Sequence, residues 1–345
     1  MRTDPQGAEL KAGYINGGAV VEGADLLLRG CGRVCRGEKV LIVFDASTRA
    51  LAELLEYRAK LLTPTVTLVE IPPLNMHGQE PPLFVAEEMA RADLCIGVTA
   101  KSMAHTEARR NAASRGTRYL SLPDYSLSLL ASPSLRADYE GRGVIARRLA
   151  DLFTTGRMIK VTSPIGTNVT LRVDGRVGNC CPGYVSGPGE LGSPPDIEAN
   201  VSPIETSAEG VVVVDGSIAY PGFGLLPEPI SFTVKGGHID EIKGEPEMVR
   251  KLTRLFASAG SSKAYVLAEC GVGLNDRAVL TGVMLTDEGA AGTMHFGFGS
   301  NYTVGGLNEV AFHVDFVFRQ PSLEIDGISV LRRGEIILPA AAKQR

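Results

Sequence analysis

The sequence predicts a mixed α/β protein with an N-terminal, doubly wound, Rossmann-like domain over residues 1–155 and a β-rich α+β domain over residues 156–345. Three observations predict this class. The chain has 345 residues, which is long for a single hydrophobic core. Strand-like and helical runs alternate through about residue 122, as in a parallel sheet with crossover helices. After about residue 155, strand-like runs dominate.

Composition and charge exclude several classes of protein. Hydrophobic residues make up 44% of the chain and charged residues 21%, which is typical of a globular protein. The 35 Lys and Arg residues against 39 Asp and Glu residues give a net charge of −4, and no basic cluster predicts a nucleic-acid partner. No run of about 18 apolar residues predicts a membrane span. Because the N-terminus lacks an apolar signal segment, we expect a cytoplasmic protein whose six cysteines are free thiols.

The first domain begins with a continuous apolar run at residues 38–45, which predicts a buried strand. Asp45 and Ser47 then supply helix-capping side chains, and residues 48–61 carry apolar positions at helical spacing. The same reasoning predicts five further elements: a strand at 65–70, a helix at 82–91, a strand at 93–98, a helix at 103–115 and a strand at 117–122. Neither a G-x-G-x-x-G turn after the first strand nor a P-loop motif occurs, which argues against a dinucleotide or NTP site.

The second domain is predicted mainly from strands joined by tight turns. One helix is predicted at 245–260, and a Gly/Pro-rich loop covers 179–195. The strand-like segments are MIKVTSP, NVTLRVDGR, GVVVVDGSIAY, PISFTVKGGHIDEIKG, MHFGFG and AFHVDFVF.

The segment AFHVDFVF predicts a polar site. Alternate side chains of a strand share a face, so the aromatic and aliphatic residues point one way while His313 and Asp315 point the other way together. An imidazole and a carboxylate placed in this way can bind one metal ion, although an ordinary solvent-exposed strand face is the competing interpretation. Glu269 follows an apolar run, and a buried carboxylate requires a cation or a proton. His295 shares its strand face with Gly297 and Gly299, which predicts open space beside the ring.

Five separated strings in the second half occur in the order typical of one family. They are TSPIGTNVTLRVDGR, DIEANVSPIETSAEG, LAECGVG, DEGAAGTMHFGFGSNY and GGLNEVAFHVDF. Together they resemble the thermophilic metallo-aminopeptidases of the aminopeptidase T/S group, and the first half resembles that family's α/β domain more faintly. The resemblance implies a paired site for one or two divalent ions (zinc, cobalt or manganese), a peptide or small-amide substrate, and a homodimer.

The resemblance also implies roles for individual residues. Glu198, Glu269, His295, His313 and Asp315 match the metal ligands, with Glu269 at the position that bridges the two metals. Tyr302 matches a tyrosine near the reaction centre, where a hydroxyl could donate to an oxyanion. The expected reaction is therefore hydrolysis of an amide or peptide bond by metal-activated water.

Two alternatives remain open. The same scaffold resembles the iron-dependent dihydroxypyridine ring-cleaving dioxygenases, which have a His–His–Asp triad. In that group a His stands at the position of Glu269 and an apolar residue at that of His295, but an iron site at Glu269, His313 and Asp315 is still conceivable. The other alternative is a non-catalytic binding protein with this fold.

Both enzyme groups resemble the string KSMAHTEARR, so His105 is a candidate for contact with substrate, against the simpler role of capping a helix. The acidic residues Glu288 and Glu309, and the Pro-rich loop around His77, have no role that the sequence fixes.

Overall fold

The computed structural model describes residues 17–338 and shows a mixed α/β chain that divides into two compact units. Of the described residues, the first unit contains 17–139 and 183–195, and the second contains 140–182 and 196–338. The predicted boundary at residue 155 placed the helix Tyr139–Thr155 in the first domain, but almost all of this helix lies in the second unit. There its Ala150 and Phe153 pack directly against Gly178. The segment 183–195 returns to the first unit.

The first unit is built on one parallel sheet with the strand order β2-β1-β3-β4-β8. Its strands are β1 (Lys39–Phe44), β2 (Thr65–Glu70), β3 (Leu94–Val98), β4 (Arg118–Ser121) and β8 (Leu191–Gly192). Its α-helices are α1 (Gly17–Asp25), α2 (Arg49–Lys60), α3 (Leu83–Met89), α4 (Glu107–Ser114) and α5 (Leu127–Ala131). A π-helical turn spans Leu26–Cys31, and 3₁₀ turns span Ala46–Thr48 and Pro133–Arg136.

The predicted strands and helices of this unit agree with the observed ones to within two residues at each end, with one exception. The helix predicted at 103–115 begins only at Glu107. Thr106 is its N-cap, since the Thr106 side chain accepts a hydrogen bond from the backbone N–H of Arg109 at 3.2 Å. His105 therefore precedes the cap residue and does not itself cap the helix.

The second unit contains two antiparallel sheets. The eight-stranded sheet has the order β14-β13-β10-β6-β5-β18-β19-β20, and the seven-stranded sheet has the order β12-β11-β17-β16-β15-β9-β7. The strands are β5 (Met158–Thr162), β6 (Asn168–Arg172), β7 (Asn179–Cys181), β9 (Glu198–Val201), β10 (Glu209–Val214), β11 (Ser217–Ile218), β12 (Gly224–Leu225), β13 (Ile230–Lys235), β14 (His238–Lys243), β15 (Leu267–Gly273), β16 (Thr293–Gly299), β17 (His313–Arg319), β18 (Ser322–Ile325), β19 (Ile328–Arg332) and β20 (Glu335–Ile336). The helices are α6 (Tyr139–Thr155), α7 (Pro246–Ser258) and α8 (Met284–Asp287), with 3₁₀ turns at Ser262–Tyr265 and Tyr302–Val304.

Aromatic side chains join these two sheets. The ring of Phe232 on β13 lies 4.8 Å from that of Phe316 on β17 and 5.5 Å from that of Phe298 on β16. Phe256 of α7 packs against the same pair. Each of these four rings is fully buried, and burial of one such side chain stabilises the fold by roughly 1.5–3 kcal/mol. One face of β16 and β17 is thus committed to the core, which leaves the opposite face for polar side chains.

The sequence predicts that the chain has no membrane span and that its cysteines are free thiols. Within the range 17–338, none of the helices combines the length and the apolar character needed to cross a bilayer. All six cysteines carry free thiols, of which Cys31, Cys95 and Cys270 are buried.

Candidate metal centre

Four neighbouring strands of the seven-stranded sheet bring five side chains that can bind metal to one place. The strands are adjacent in the order β17-β16-β15-β9. The side chains are Glu198 on β9, Glu269 on β15, His295 on β16, and His313 and Asp315 on β17. On β17 the two donors alternate with Val314 and Phe316, which are fully buried in the core, as the alternation in the sequence predicts.

Glycines opposite the donors make room for them. Gly271 pairs with His295 across the sheet, and Gly297 pairs with both Glu269 and Asp315. A Cβ atom on Gly271 would lie 2.1 Å from the His295 ring, and one on Gly297 would lie 2.7 Å from the His313 ring. The predicted open space beside His295 is therefore absent: His295 is packed over Gly271, and His313 fills the space beside Gly297.

The donor atoms form two groups that share one residue. Glu198, Glu269 and His295 offer ligand atoms within 4.8 Å of one another, and so do Glu269, His313 and Asp315. One carboxylate oxygen of Glu269, Oε1, lies 3.8 Å from Nε2 of His295, and the other, Oε2, lies 3.4 Å from Nε2 of His313. Glu269 can therefore contribute one oxygen to each group.

The hydrogen bonds of His313 leave its Nε2 atom available to bind a metal ion. Nδ1 lies 2.8 Å from the carbonyl oxygen of Ser300, and because a carbonyl can only accept, Nδ1 carries the hydrogen. In the neutral ring, Nε2 then presents a lone pair toward Asp315 Oδ1, which lies 3.1 Å away. Proteins commonly orient a metal-binding imidazole in this way, with a backbone carbonyl that accepts a hydrogen bond from the ring nitrogen that does not bind the metal.

Buried atoms without partners also indicate that a cation belongs here. Glu198 and His295 are buried, with 6% and 1% of their surfaces exposed. Neither Glu198 Oε2 nor His295 Nδ1 has a hydrogen-bond partner among the described residues, although Oε2 lies 3.3 Å from His295 Nε2. Buried ionisable atoms without partners are costly, and a divalent ion would satisfy the carboxylates. The donor set of carboxylates and imidazoles fits such an ion.

The buried carboxyl groups and the two imidazoles of the cluster lie close enough to shift one another's pKa values. Burial lowers the pKa of His295, but the charges of Glu198, Glu269 and Asp315 outweigh it and raise the pKa to about 10. Burial raises the pKa of Glu198 to about 7, against the opposing effect of His295. Burial also raises the pKa of Glu269, but hydrogen bonds and charge from both histidines bring it well below its usual range. His313 has a pKa well above its usual value because Asp315 and Glu269 outweigh its burial.

Further polar residues surround this cluster. Asp196 Oδ1 and Glu288 Oε1 are buried and have no hydrogen-bond partner within residues 17–338. Burial, together with Glu198 and Asp315, raises the pKa of both carboxyls well above the usual range. Asp196 is not among the predicted site residues, although its spacing of two from Glu198 is that of residues on one strand face. Asn200, whose Nδ2 donates to Glu198 Oε1 at 2.6 Å, is not among them either.

The other candidate residues lie outside the cluster. Tyr302 is 58% exposed in its 3₁₀ turn, and no hydrogen bond among the described residues joins it to the five donors. His105 is exposed in the first unit, where its carbonyl accepts a hydrogen bond from Arg110. His77, also in the first unit, accepts from the backbone N–H of Ser102. Glu309 is exposed and is not part of the donor groups.

Comparisons with known proteins support both resemblances expected from the sequence. The structure of 2,5-dihydroxypyridine dioxygenase from Pseudomonas putida KT2440 superposes with a TM-score of 0.80 and 23% identity, covering 93% of this chain and 97% of that one. Wild-type AmpT from Thermus thermophilus superposes with a TM-score of 0.70 and 17% identity, covering 93% of this chain and 99% of that one. At these identities the likeness shows the fold alone. No curated protein matches the sequence.

A family-level match is more informative than these superpositions. Residues 27–338 of the chain match the family described as NicX: 2,5-dihydroxypyridine 5,6-dioxygenase. The motifs of the second half favour the aminopeptidases over the dioxygenases, whereas this match favours the dioxygenases. The chain therefore belongs to the NicX family.

Proposed function

We propose that this protein is a metal-dependent hydrolase of an amide or peptide bond. The observation that carries the proposal is the pair of donor groups sharing Glu269, each with an imidazole and two carboxylates. Function depends on the site more than on the fold, and relatives of one fold perform different reactions. Two donor groups joined by one carboxylate are what a two-metal centre requires.

The roles of the residues follow from their positions. Glu198 and His295 would hold one divalent ion, His313 and Asp315 the other, and Glu269 would contact both. Such a pair of ions supplies an activated water and polarises a carbonyl group. The three ligand carboxylates carry −3 against +4 from two ions, so the loaded centre is close to neutral. Tyr302, in the neighbouring exposed turn, would donate a hydrogen bond to the oxygen that gains negative charge.

The family match favours a second candidate, oxidative cleavage of a dihydroxylated aromatic ring at a single iron. The group of Glu269, His313 and Asp315 would hold that iron, because His313 is the most exposed of the five donors. The group has one imidazole and two carboxylates, however, whereas non-haem iron oxygenases typically use two imidazoles and one carboxylate. The donor set of this group thus does not fit the usual iron triad.

Metal content separates the two candidates. We expect protein purified without chelator to contain about two equivalents of zinc, cobalt or manganese by elemental analysis, as a two-metal site requires. The variant Asp315→Asn keeps the side-chain volume but replaces a charged ligand, so it should lose about one equivalent. Glu309→Gln is the matched control, since Glu309 is an exposed acid outside the donor groups and should leave the metal content unchanged.

Activity measurements complete the test. The metal-loaded protein should release amine from amino-acyl amides, and Asp315→Asn should abolish the release while Glu309→Gln should not. About one equivalent of iron, together with oxygen uptake in the presence of 2,5-dihydroxypyridine, would contradict the hydrolase and establish the second candidate.

A further inference from the structure

The two carboxylate oxygens of Glu198 have different surroundings. Oε1 accepts a hydrogen bond from Asn200 Nδ2 at 2.6 Å. Oε2 is buried, accepts no hydrogen bond from the part of the chain that the structure describes, and lies 3.3 Å from His295 Nε2. Asn200 therefore fixes the rotation of the carboxylate and leaves Oε2 as the oxygen available to a cation. Partners of this kind orient metal ligands in many proteins.

The hydrogen bonds continue from Asn200 to the segment that carries Tyr302. Asn179 on β7 faces Asn200 on β9 across the sheet, and its Nδ2 donates to Asn200 Oδ1 at 2.8 Å. The same nitrogen donates to the carbonyl oxygen of Val304 at 3.0 Å. Val304 ends the 3₁₀ turn that begins at Tyr302. Two amide side chains thus connect a candidate metal ligand to this turn.

The direction of both amides is determined by their neighbours. The carbonyl of Val304 can only accept, so Asn179 must turn its NH₂ group toward it. The Asn200 oxygen accepts from that same NH₂ group, so Asn200 must turn its own NH₂ group toward Glu198. The Glu198 carboxylate, when ionised, can only accept. These three hydrogen bonds, from Glu198 through Asn200 and Asn179 to the Val304 carbonyl, form a bridge in which every donor faces an acceptor.

The rest of the segment is held independently of this bridge. Glu205 accepts from Asn301 Nδ2 at 3.0 Å and from the backbone N–H of Leu307 at 2.7 Å. Arg176 pairs with Glu205 at 2.5 Å and donates to the carbonyl of Gly305 at 2.9 Å. The ends of the segment 301–307 would keep these contacts if Asn179 were removed. Loss of the bridge should therefore affect the turn at Val304 without releasing the whole loop.

We propose that Asn200 and Asn179 are positioning residues that couple metal binding at Glu198 to the order of the turn containing Tyr302. A cation bound at Oε2 fixes Glu198, Glu198 fixes the Asn200 amide, and Asn179 transmits this order to the Val304 carbonyl. Because each of the three hydrogen bonds shares a side chain with the next, fixing Glu198 restrains the two amides and, through them, the Val304 carbonyl.

The test uses Co²⁺ as the probe, added to the metal-free full-length protein. Its visible absorption reports occupancy of the sites, and hydrogen–deuterium exchange of the peptide covering 300–308 reports the order of the turn. The variants are Asn200→Ala and Asn179→Ala. Ser202→Ala is the matched control, because Ser202 Oγ contacts the same Val304 carbonyl at 3.1 Å without being part of the bridge. Circular dichroism verifies that each variant is folded.

In the wild type, Co²⁺ should slow exchange in this peptide. Asn200→Ala should weaken one of the two Co²⁺ sites about 10–100-fold, the usual effect of losing such a partner, and leave the other unchanged. Asn179→Ala should retain both Co²⁺ sites but lose the slowing of exchange, and Ser202→Ala should retain it. A wild type in which Co²⁺ does not slow exchange would overturn the coupling. So would an Asn179→Ala variant in which Co²⁺ slows exchange as in the wild type.

The inference rests on the two-metal centre of the proposed function, and the two can fail separately. The experiment measures metal binding and exchange, not hydrolysis, so a protein that binds Co²⁺ as expected but cleaves no amide would refute the hydrolase and leave the bridge intact. If Glu198→Gln binds Co²⁺ as tightly as the wild type does, Glu198 is not a ligand and the bridge is refuted as well.

Discussion

His295 lies between the carboxylates of Glu198 and Glu269, so its proton contributes to the stability of the metal-free protein. Its pKa is about 10 in the folded chain against an ordinary value of 6.5. A group whose pKa is raised by folding adds stability that is complete below the ordinary value and is lost as the pH rises through the folded value. Glu198 also adds stability that is lost as the pH rises, but over a lower pH range, because its pKa is raised from 4.5 to about 7.

We therefore expect the melting temperature of the metal-free protein to fall steadily between pH 8 and pH 10, where Glu198 is already ionised and His295 loses its proton. Differential scanning calorimetry of chelator-treated protein measures the trend. His295→Gln should show a flatter profile over this interval. His238→Gln, which alters a histidine of β14 outside the cluster, is the control and should follow the wild type. Equal slopes for all three proteins would contradict the assignment.

At the scale of the strand, the glycines of β15 and β16 determine where the imidazoles can lie. Gly271→Ala would force the His295 ring away, since the new Cβ would lie 2.1 Å from it, and should weaken the group of Glu198, Glu269 and His295. Gly297→Ala would meet the ring of His313 at 2.7 Å and the Asp315 carboxylate at 2.8 Å, and should weaken the other group. Each substitution should also cost about 1–3 kcal/mol of stability through overpacking.

Metal titration of the two glycine variants, combined with urea unfolding, measures both effects. Gly30→Ala is the control, because a Cβ at Gly30 meets nothing within 4 Å. If Gly271→Ala and Gly297→Ala bind two equivalents of metal as tightly as the control does, the packing of these rings does not position the ligands.

The strands that carry the centre could be predicted from the sequence because their pattern is local. On β17 the alternation of core residues with His313 and Asp315 gives both the strand and its two faces. The roles of Glu198 and His295 required a family resemblance, since neither residue stands in a pattern that demands a ligand. The helix at Tyr139–Thr155 and the helix at Gly17–Asp25 were missed, and both are weakly patterned.

The contacts between distant segments could not be predicted. Asn179, Asn200 and Val304 are joined by hydrogen bonds that depend on how β7 and β9 pair and where the 3₁₀ turn lies. The position of Gly271 against His295 depends likewise on the register between β15 and β16. Register is a property of the assembled sheet, so the sequence of one strand cannot show which glycine lies against His295. The space beside this ring was predicted at Gly297 and Gly299, whereas the ring lies over Gly271.

At the scale of the whole molecule, the centre concentrates carboxyl groups in a buried place. Asp196, Glu198, Glu269 and Asp315 are each at most 7% exposed, and the chain already has a net charge of −4. We expect removal of metal to lower the stability of the protein, by about 2.7 kcal/mol relative to a solution in which free metal is about 100 times its dissociation constant.

Calorimetry before and after treatment with a chelator measures this difference. The double variant Glu198→Gln, Asp315→Asn lacks a charged ligand in each group, so its melting temperature should not respond to the chelator. A wild type whose melting temperature is also unaffected would contradict metal binding at this centre.

The path of the chain through the two units has a consequence for synthesis on the ribosome. The sheet of the first unit is completed by β8, which pairs with β4 and follows β5–β7 of the second unit in the chain. In the same returning segment, the carbonyl of Glu190 accepts from the N–H of Tyr119, and that of Pro194 accepts from the Tyr125 hydroxyl. A nascent chain that has emerged only as far as residue 139 therefore lacks one edge of its first sheet. Domains generally fold as they emerge, but the sheet of this unit is complete only after about 56 more residues have been translated. Until then, the edge of β4 is open to any other strand that can pair with it.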